Sequence, residues 1–178
     1  MKGVIADCVA DLVKSAYGDE TWQEILEESG IGRGRRFLVI EDVEDAQIMK
    51  LVQTICQKLG ANVQTVADLF GDHWVNVYSP RIYGAYYDSA KNAREFLLAM
   101  DRVHTEMTAR MAQAHPPRFT YEWTDPDTLE MNYQSSRNLI EFVAGLARGV
   151  GKHYGENLAV TTHGRTAVTV KFPPAPAA

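Results

Sequence analysis

Two groups of residues in this chain have the types and spacing to do chemistry. His104 shares a 3.6-residue period with Leu97, Met100, Met107, Thr108 and Met111, while Asp101, Arg102, Thr105, Glu106 and Arg110 point to other faces. An imidazole among three methionines has two readings. It is either a core histidine bonded to a backbone carbonyl, or a neutral metal ligand in a soft, adaptable pocket. The second group is Tyr133-Gln134-Ser135-Ser136-Arg137. Read as a strand, its period of two puts Tyr133, Ser135 and Arg137 on one face. A phenol, a hydroxyl and a guanidinium then form a donor array for one or two carboxylates. The bland alternative is a solvent-facing strand end.

Other candidate chemistry has weaker support. The run Gly30-Ile31-Gly32-Arg33-Gly34-Arg35-Arg36 resembles a phosphate cradle, but a helix precedes it and the strand-like stretch 37–40 follows, the reverse of a dinucleotide fingerprint. It reads as a connector with solvated arginines. Glu41, Asp42, Glu44 and Asp45 open a helix, where carboxylates complement the helix dipole, and they lack the spacing of a calcium loop. No GxSxG, HExxH or serine–lysine motif anchors hydrolysis. The two cysteines, Cys8 and Cys56, lie far apart, so neither a disulfide framework nor a thiolate zinc site is expected. With 18 Lys+Arg against 23 Asp+Glu, the formal charge of −5 argues against nucleic acid as a partner. No apolar run is long enough to span a membrane and the early Asp7 spoils a signal peptide, so a cytoplasmic location is expected. Of the simple cofactors, haem meets both groups at once, with an iron for His104 and two propionates for the triad.

The elements that must position these residues read as α+β. Val4, Ile5, Cys8, Val9, Leu12, Val13 and Ala16 form one helical stripe ending at Gly18, and a short helix carries Trp22, Ile25 and Leu26. A third helix is expected over about 43–59. A fourth, capped by Asn62, runs through Val63, Val66, Leu69, Phe70, Trp74 and Val75 and ends near Ser79-Pro80. The longest spans about 89–112. Then Phe119, Tyr121 and Trp123 alternate, Asp125-Pro126-Asp127 turns the chain, and Leu129, Met131 and Tyr133 alternate again. A helix over about 139–150 and a second hairpin, 158–162 with 166–172, complete one domain over 1–172, with a flexible Pro/Ala tail at 173–178. A helical N-terminal subdomain is thus expected to pack on a small antiparallel sheet carrying one helix, with haem buried between them.

Taken together, the chain resembles a bacterial H-NOX domain, the haem–nitric oxide/oxygen-binding family that includes the sensor domain of soluble guanylate cyclase. The resemblance covers residues 1–172. It is carried by Met1-Lys2-Gly3-Val4-Ile5, Gly18-Asp19-Glu20-Thr21-Trp22, Phe70-Gly71-Asp72-His73-Trp74, Met100-Asp101-Arg102-Val103-His104, Pro116-Pro117-Arg118 and the YxSxR signature Tyr133-Gln134-Ser135-Ser136-Arg137. It implies His104 as the axial iron ligand and Tyr133, Ser135 and Arg137 as the propionate clamp. Pro117 and Ile5 would press on the porphyrin, and Met100 and Leu97 would touch it. Without a CxxCH motif the cofactor would be haem b, held non-covalently.

Oxygen-binding members carry a tyrosine on the helix after the YxSxR strand. The matching residue here is Phe142, with Val9, Trp74, Tyr78 and Leu146 completing the distal pocket. The resemblance therefore implies a sensor without catalytic activity that binds NO and CO and largely excludes O2. NO would break the iron–His104 bond and shift the proximal helix. A separate histidine kinase or cyclic-di-GMP enzyme would read that shift, since no output region fits within 178 residues unless it lies on residues absent from this sequence. Three rivals stay open: a haem enzyme, an O2-binding domain using Tyr78 or Trp74 as donor, and a metal-free module for an apolar carboxylate ligand.

Overall fold

The computed structural model describes residues 1–110 and 114–174, with the backbone alone for Thr108 and Arg110. Met111, the last turn expected of the longest helix and the end of the Pro/Ala tail lie outside the described residues. The N-terminal part is helical: α1 (Gly3–Tyr17), α2 (Asp19–Glu28), α3 (Asp45–Leu59) and α4 (Val63–His73). The apolar stripe of α1 is its buried face, through Val4, Cys8, Val9 and Val13. Gly60, with φ of +60°, closes α3 in a left-handed cap, and the Asn62 side chain accepts from Thr65 N–H at 2.8 Å to start α4.

Two expectations change here. The stretch 37–40 is irregular rather than a strand. Its backbone folds back onto the start of α1, where Gly3 N–H donates to Glu41 and Val4 N–H to Val39. A side chain at Gly3 would collide with the Leu38 carbonyl, so only glycine admits this approach. The chain also does not leave the helix at Ser79-Pro80. α4 continues through a π-helical segment (Trp74–Tyr78) into α5 (Pro80–Asp88), with Pro80 at its first position, where its missing N–H costs nothing.

The long helix α6 (Ala93–Arg110) leads to β1 (Arg118–Asp125) and β2 (Thr128–Gln134), then α7 (Ile140–His153), β3 (Ala159–His163) and β4 (Ala167–Lys171). The four strands form one antiparallel sheet in the order β1-β2-β4-β3, with Phe119 opposite Tyr133 and Tyr121 opposite Met131. Helix α7 crosses α4 backbone to backbone: a Cβ on Gly71 would lie 2.2 Å from Gly145, and one on Gly149 would lie 2.5 Å from Gly71. One apolar core lies under the sheet and α7, another within the N-terminal helices, and Trp74 and Leu146 pack against both. This is the expected α+β arrangement.

Candidate functional site

A cavity of about 390 Å³ opens between the two cores, a size usual for ligand sites. α1 contributes Ile5 and Val9 to its wall, α4 and the π segment contribute Phe70 and Trp74, and α7 contributes Phe142 and Leu146. Leu97, Met100 and His104 of α6 line it too, with Pro117, Tyr133 and Arg137. Residues spread from position 5 to position 146 thus meet around one space whose lining is almost wholly apolar.

His104 is held there by a polar scaffold built around Asp101, one turn earlier on α6. The Asp101 carboxylate takes Arg118 Nε–H at 2.8 Å, an Arg118 Nη at 2.7 Å and Phe119 N–H at 2.9 Å. The guanidinium holds its carboxyl down to about 2. That anchorage lays the segment before β1 across α6, and the Pro117 carbonyl meets His104 Nδ1 at 2.9 Å. A carbonyl only accepts, so Nδ1 carries the proton and the neutral ring keeps its lone pair on Nε2. Burial pushes the His104 pKa below its usual value, which favours the neutral form. Phe119 packs beside the ring, with centroids 5.7 Å apart. The expected bond of His104 to a backbone carbonyl is therefore present, and a neutral ring protonated at Nδ1 is also the form in which an imidazole can ligate a metal.

The triad is arranged differently from a strand face. β2 ends at Gln134, and residues 135–137 turn toward α7, with Asn138 at a positive φ of 53°. Tyr133 and Arg137 reach the cavity wall, but Ser135 is not among the lining residues. Its Oγ accepts from Arg137 N–H at 3.3 Å and so shapes the turn. Arg137 donates through Nε to Asp45 at 2.7 Å and through Nη1 to the His115 carbonyl at 2.6 Å. Asp45 also accepts from the Met1 ammonium at 2.7 Å, so one member of the acidic cluster joins the chain start to this turn. Asp42 pairs with Lys2, and Arg33 and Arg35 pair with glutamates, as solvated connector residues do.

Tyr78 stands outside the cavity wall. Its hydroxyl donates to Asp7 of α1 at 2.5 Å, and burial beside that carboxylate raises its pKa. His73 likewise pairs with Asp11 at 2.7 Å and does not line the cavity. Trp74 does line it, stacked between Phe70 and Tyr78. Sequence reasoning missed Ser79, Tyr83, Tyr86 and Tyr87, which reach the wall because the helix continues past Pro80. Ser79 and Tyr87 satisfy one another at 2.5 Å, whereas the buried Tyr83 hydroxyl has no hydrogen-bond partner among the described residues. The clue was Pro80 itself, which is as much a helix-starting residue as a helix-ending one.

The family described as haem-NO-binding matches residues 2–162. The chain belongs to this family. Among its relatives, the soluble guanylate cyclases gcy-32 and gcy-34 of Caenorhabditis elegans are 26% and 25% identical over 172 residues, 93% of this chain. The chain spans about a quarter of their length, 25% in each case. A solved oxygen-binding H-NOX domain related to soluble guanylate cyclases, in its oxygen complex, superposes with a TM-score of 0.81 at 25% identity, over 98% of this chain and 96% of that one. An H-NOX protein from S. oneidensis in the Fe(II)NO state shares the fold, with a TM-score of 0.86 at 19% identity, over 98% of this chain and all (100%) of the other. Among the described residues, no helix of this H-NOX domain is long and apolar enough to cross a membrane.

Proposed function

We propose that this chain is a gas-sensing domain that holds haem b non-covalently, binds NO and CO at ferrous iron, discriminates against O2 and has no catalytic activity of its own. The observation that carries this is the combination of a neutral, oriented imidazole with an almost wholly apolar cavity that Arg137 and Tyr133 also line. These residues fit the group. His104 would ligate iron through Nε2, and Tyr133 and Arg137 would meet the propionates, with Ser135 acting through the turn. Among the described residues, two of the five Arg137 N–H donors are engaged, which leaves others for carboxylates. Ile5, Leu97, Met100 and Pro117 supply apolar contact. When bound, the haem would supply the iron that takes the gas, and His104 would be the protein's hold on that iron.

The chain's own residues do the rest. Val9, Phe142 and Leu146 offer no proton to a gas, and the Tyr78 hydroxyl donates to Asp7 instead. Bound O2 is partly anionic, so a gas that meets only those apolar side chains forgoes about 1.5–3 kcal/mol of charge-assisted hydrogen bonding. α6 carries the output, because it bears His104 and is held differently once that residue is released. A separate histidine kinase or cyclic-di-GMP enzyme reads the change, in a cytoplasmic setting.

The test is the absorption spectrum of the protein reduced without oxygen, then exposed to air, then to NO. A five-coordinate ferrous spectrum unchanged by air and altered by NO is the expected result; a protein that takes up no haem overturns the proposal. One observation favours a second reading. The Tyr83 hydroxyl at the cavity wall, without a hydrogen-bond partner among the described residues, could donate to O2. A stable oxygen complex that Tyr83→Phe abolishes would establish that reading.

A further inference from the structure

We infer that the turn of α6 between Leu97 and Asp101 is a hinge fastened by Tyr121, so that release of His104 moves the helix beyond this turn and leaves the part before it seated on the sheet. The inference rests on the proposed role of His104 as the tether.

In an α-helix the Leu97 carbonyl and the Asp101 N–H would pair with each other and close one turn. Here a single hydroxyl from β1 serves both. Tyr121 O–H donates to the Leu97 carbonyl at 3.0 Å, and its oxygen accepts from Asp101 N–H at 3.2 Å. A hydroxyl bonded to both groups offers them an alternative to each other at this turn. It also transfers part of the turn's hold from the helix to the sheet.

The two sides of this turn are tied down unequally. Before it, Ala93 N–H donates to Glu156 at 2.9 Å, and the Arg94 guanidinium lies 4.6 Å from the Trp123 ring and 4.9 Å from the Phe172 ring. Arg94 also pairs with Asp127 at 3.3 Å. At the turn, Asp101 is locked to Arg118 and to the Phe119 N–H. Beyond it, His104 meets the Pro117 carbonyl, while Arg102 spends its charge on Glu106 of its own helix. The seated half is thus fixed to β1, to the turn after it and to residues just beyond β4 and α7, and among the described residues the polar tie from the far half to another element is that of His104. Tyr121 is a positioning residue: it touches neither cofactor nor gas and sets where the helix yields.

Segment-resolved hydrogen exchange of the reduced, haem-loaded protein with and without NO tests this. The expected change is faster exchange over 102–110 with 93–97 unaltered. Tyr121→Phe should extend the NO-induced change into 93–101. Without any gas, it should also speed exchange at the Asp101 amide about fivefold, the loss of one modest hydrogen bond. An NO-induced change spread evenly over 93–110 in the native protein overturns the hinge, as does an Asp101 amide equally protected in Tyr121→Phe. The absorption spectrum of the same samples separates the two ideas. A protein without a haem band fails the functional proposal, and the hinge is then judged by Asp101 exchange in the haem-free pair.

Discussion

The two sides of the cavity are built on opposite principles. On the side of α6 and β1, position is set by directional bonds: Asp101 to Arg118 and Phe119, Tyr121 to two backbone groups of α6, and the Pro117 carbonyl to His104. On the side of α1, α4 and α7, the wall is Val9, Phe70, Phe142 and Leu146, held by packing alone. That side has polar groups nearby, but they are turned away. Asp7 and Asp11, one turn apart on α1, take Tyr78 and His73 respectively. Directional bonds suit a wall that must aim one nitrogen. Dispersion suits a wall that must exclude donors, because an unpaired polar group there would cost more than it contributes.

Four changes would break or sharpen this contrast. The largest effect is expected from His104→Gly, which removes the aimed nitrogen: the purified protein should lose most of its haem absorbance, and added imidazole should restore it. Unchanged haem content would mean that the polar side aims at nothing. Next, Phe142→Tyr adds a donor to the apolar side and should raise O2 affinity by about ten- to a hundredfold, measured by oxygen titration of the reduced protein. No gain would show that the hydroxyl lacks reach from that position.

Asp7→Ala should then cost about 2 kcal/mol in urea unfolding, because it strands the buried Tyr78 hydroxyl. Tyr78→Phe placed on top of it should recover part of that loss, and a loss that persists in full would locate the cost elsewhere. The smallest effect concerns pH. The Asp101 carboxyl titrates lower in the folded protein, at about 2 against an ordinary 3.8. Its ion pair therefore stabilises fully above the ordinary value and is lost as pH falls through the folded one. With solvent screening of the half-exposed Arg118, Asp101→Asn should cost about 1 kcal/mol at neutral pH. The difference should shrink between pH 4 and 2, as followed by thermal unfolding at each pH.

Much of this was legible beforehand, for reasons that differ by element. The helices α1 and α3 announce themselves through apolar spacing and end at glycines, α7 shows such spacing but runs past its expected end through Gly149 and Gly151 to His153, and the hairpin β1–β2 shows alternation around Asp125-Pro126-Asp127. His104 stood out because an imidazole interrupts an apolar stripe. Misreadings fell where one residue type serves two backbone roles. Pro80 was read as a stop and is a start, which hid α5 and its tyrosines. Ser135 and Arg137 share a parity with Tyr133 that holds only while the strand lasts, and β2 stops at Gln134. Tyr78 looked available because a sequence does not show where a hydroxyl's acceptor lies; Asp7 is far away along the chain and 2.5 Å away in space.

By itself, the order of residues determined the α+β class, the place of the β1–β2 hairpin and two candidate groups, an imidazole in an apolar stripe and the set Tyr133, Ser135 and Arg137. These follow from local periodicity, capping and residue chemistry, which need no distant partner. Only the tertiary structure decided that Pro117 orients His104, that Asp45 joins Arg137 to the chain start, and that Tyr121 bonds two backbone groups of α6. Each of these is a bond between elements remote in sequence, and its geometry exists only after α6 has been laid against β1 and the N-terminal helices against the turn after β2.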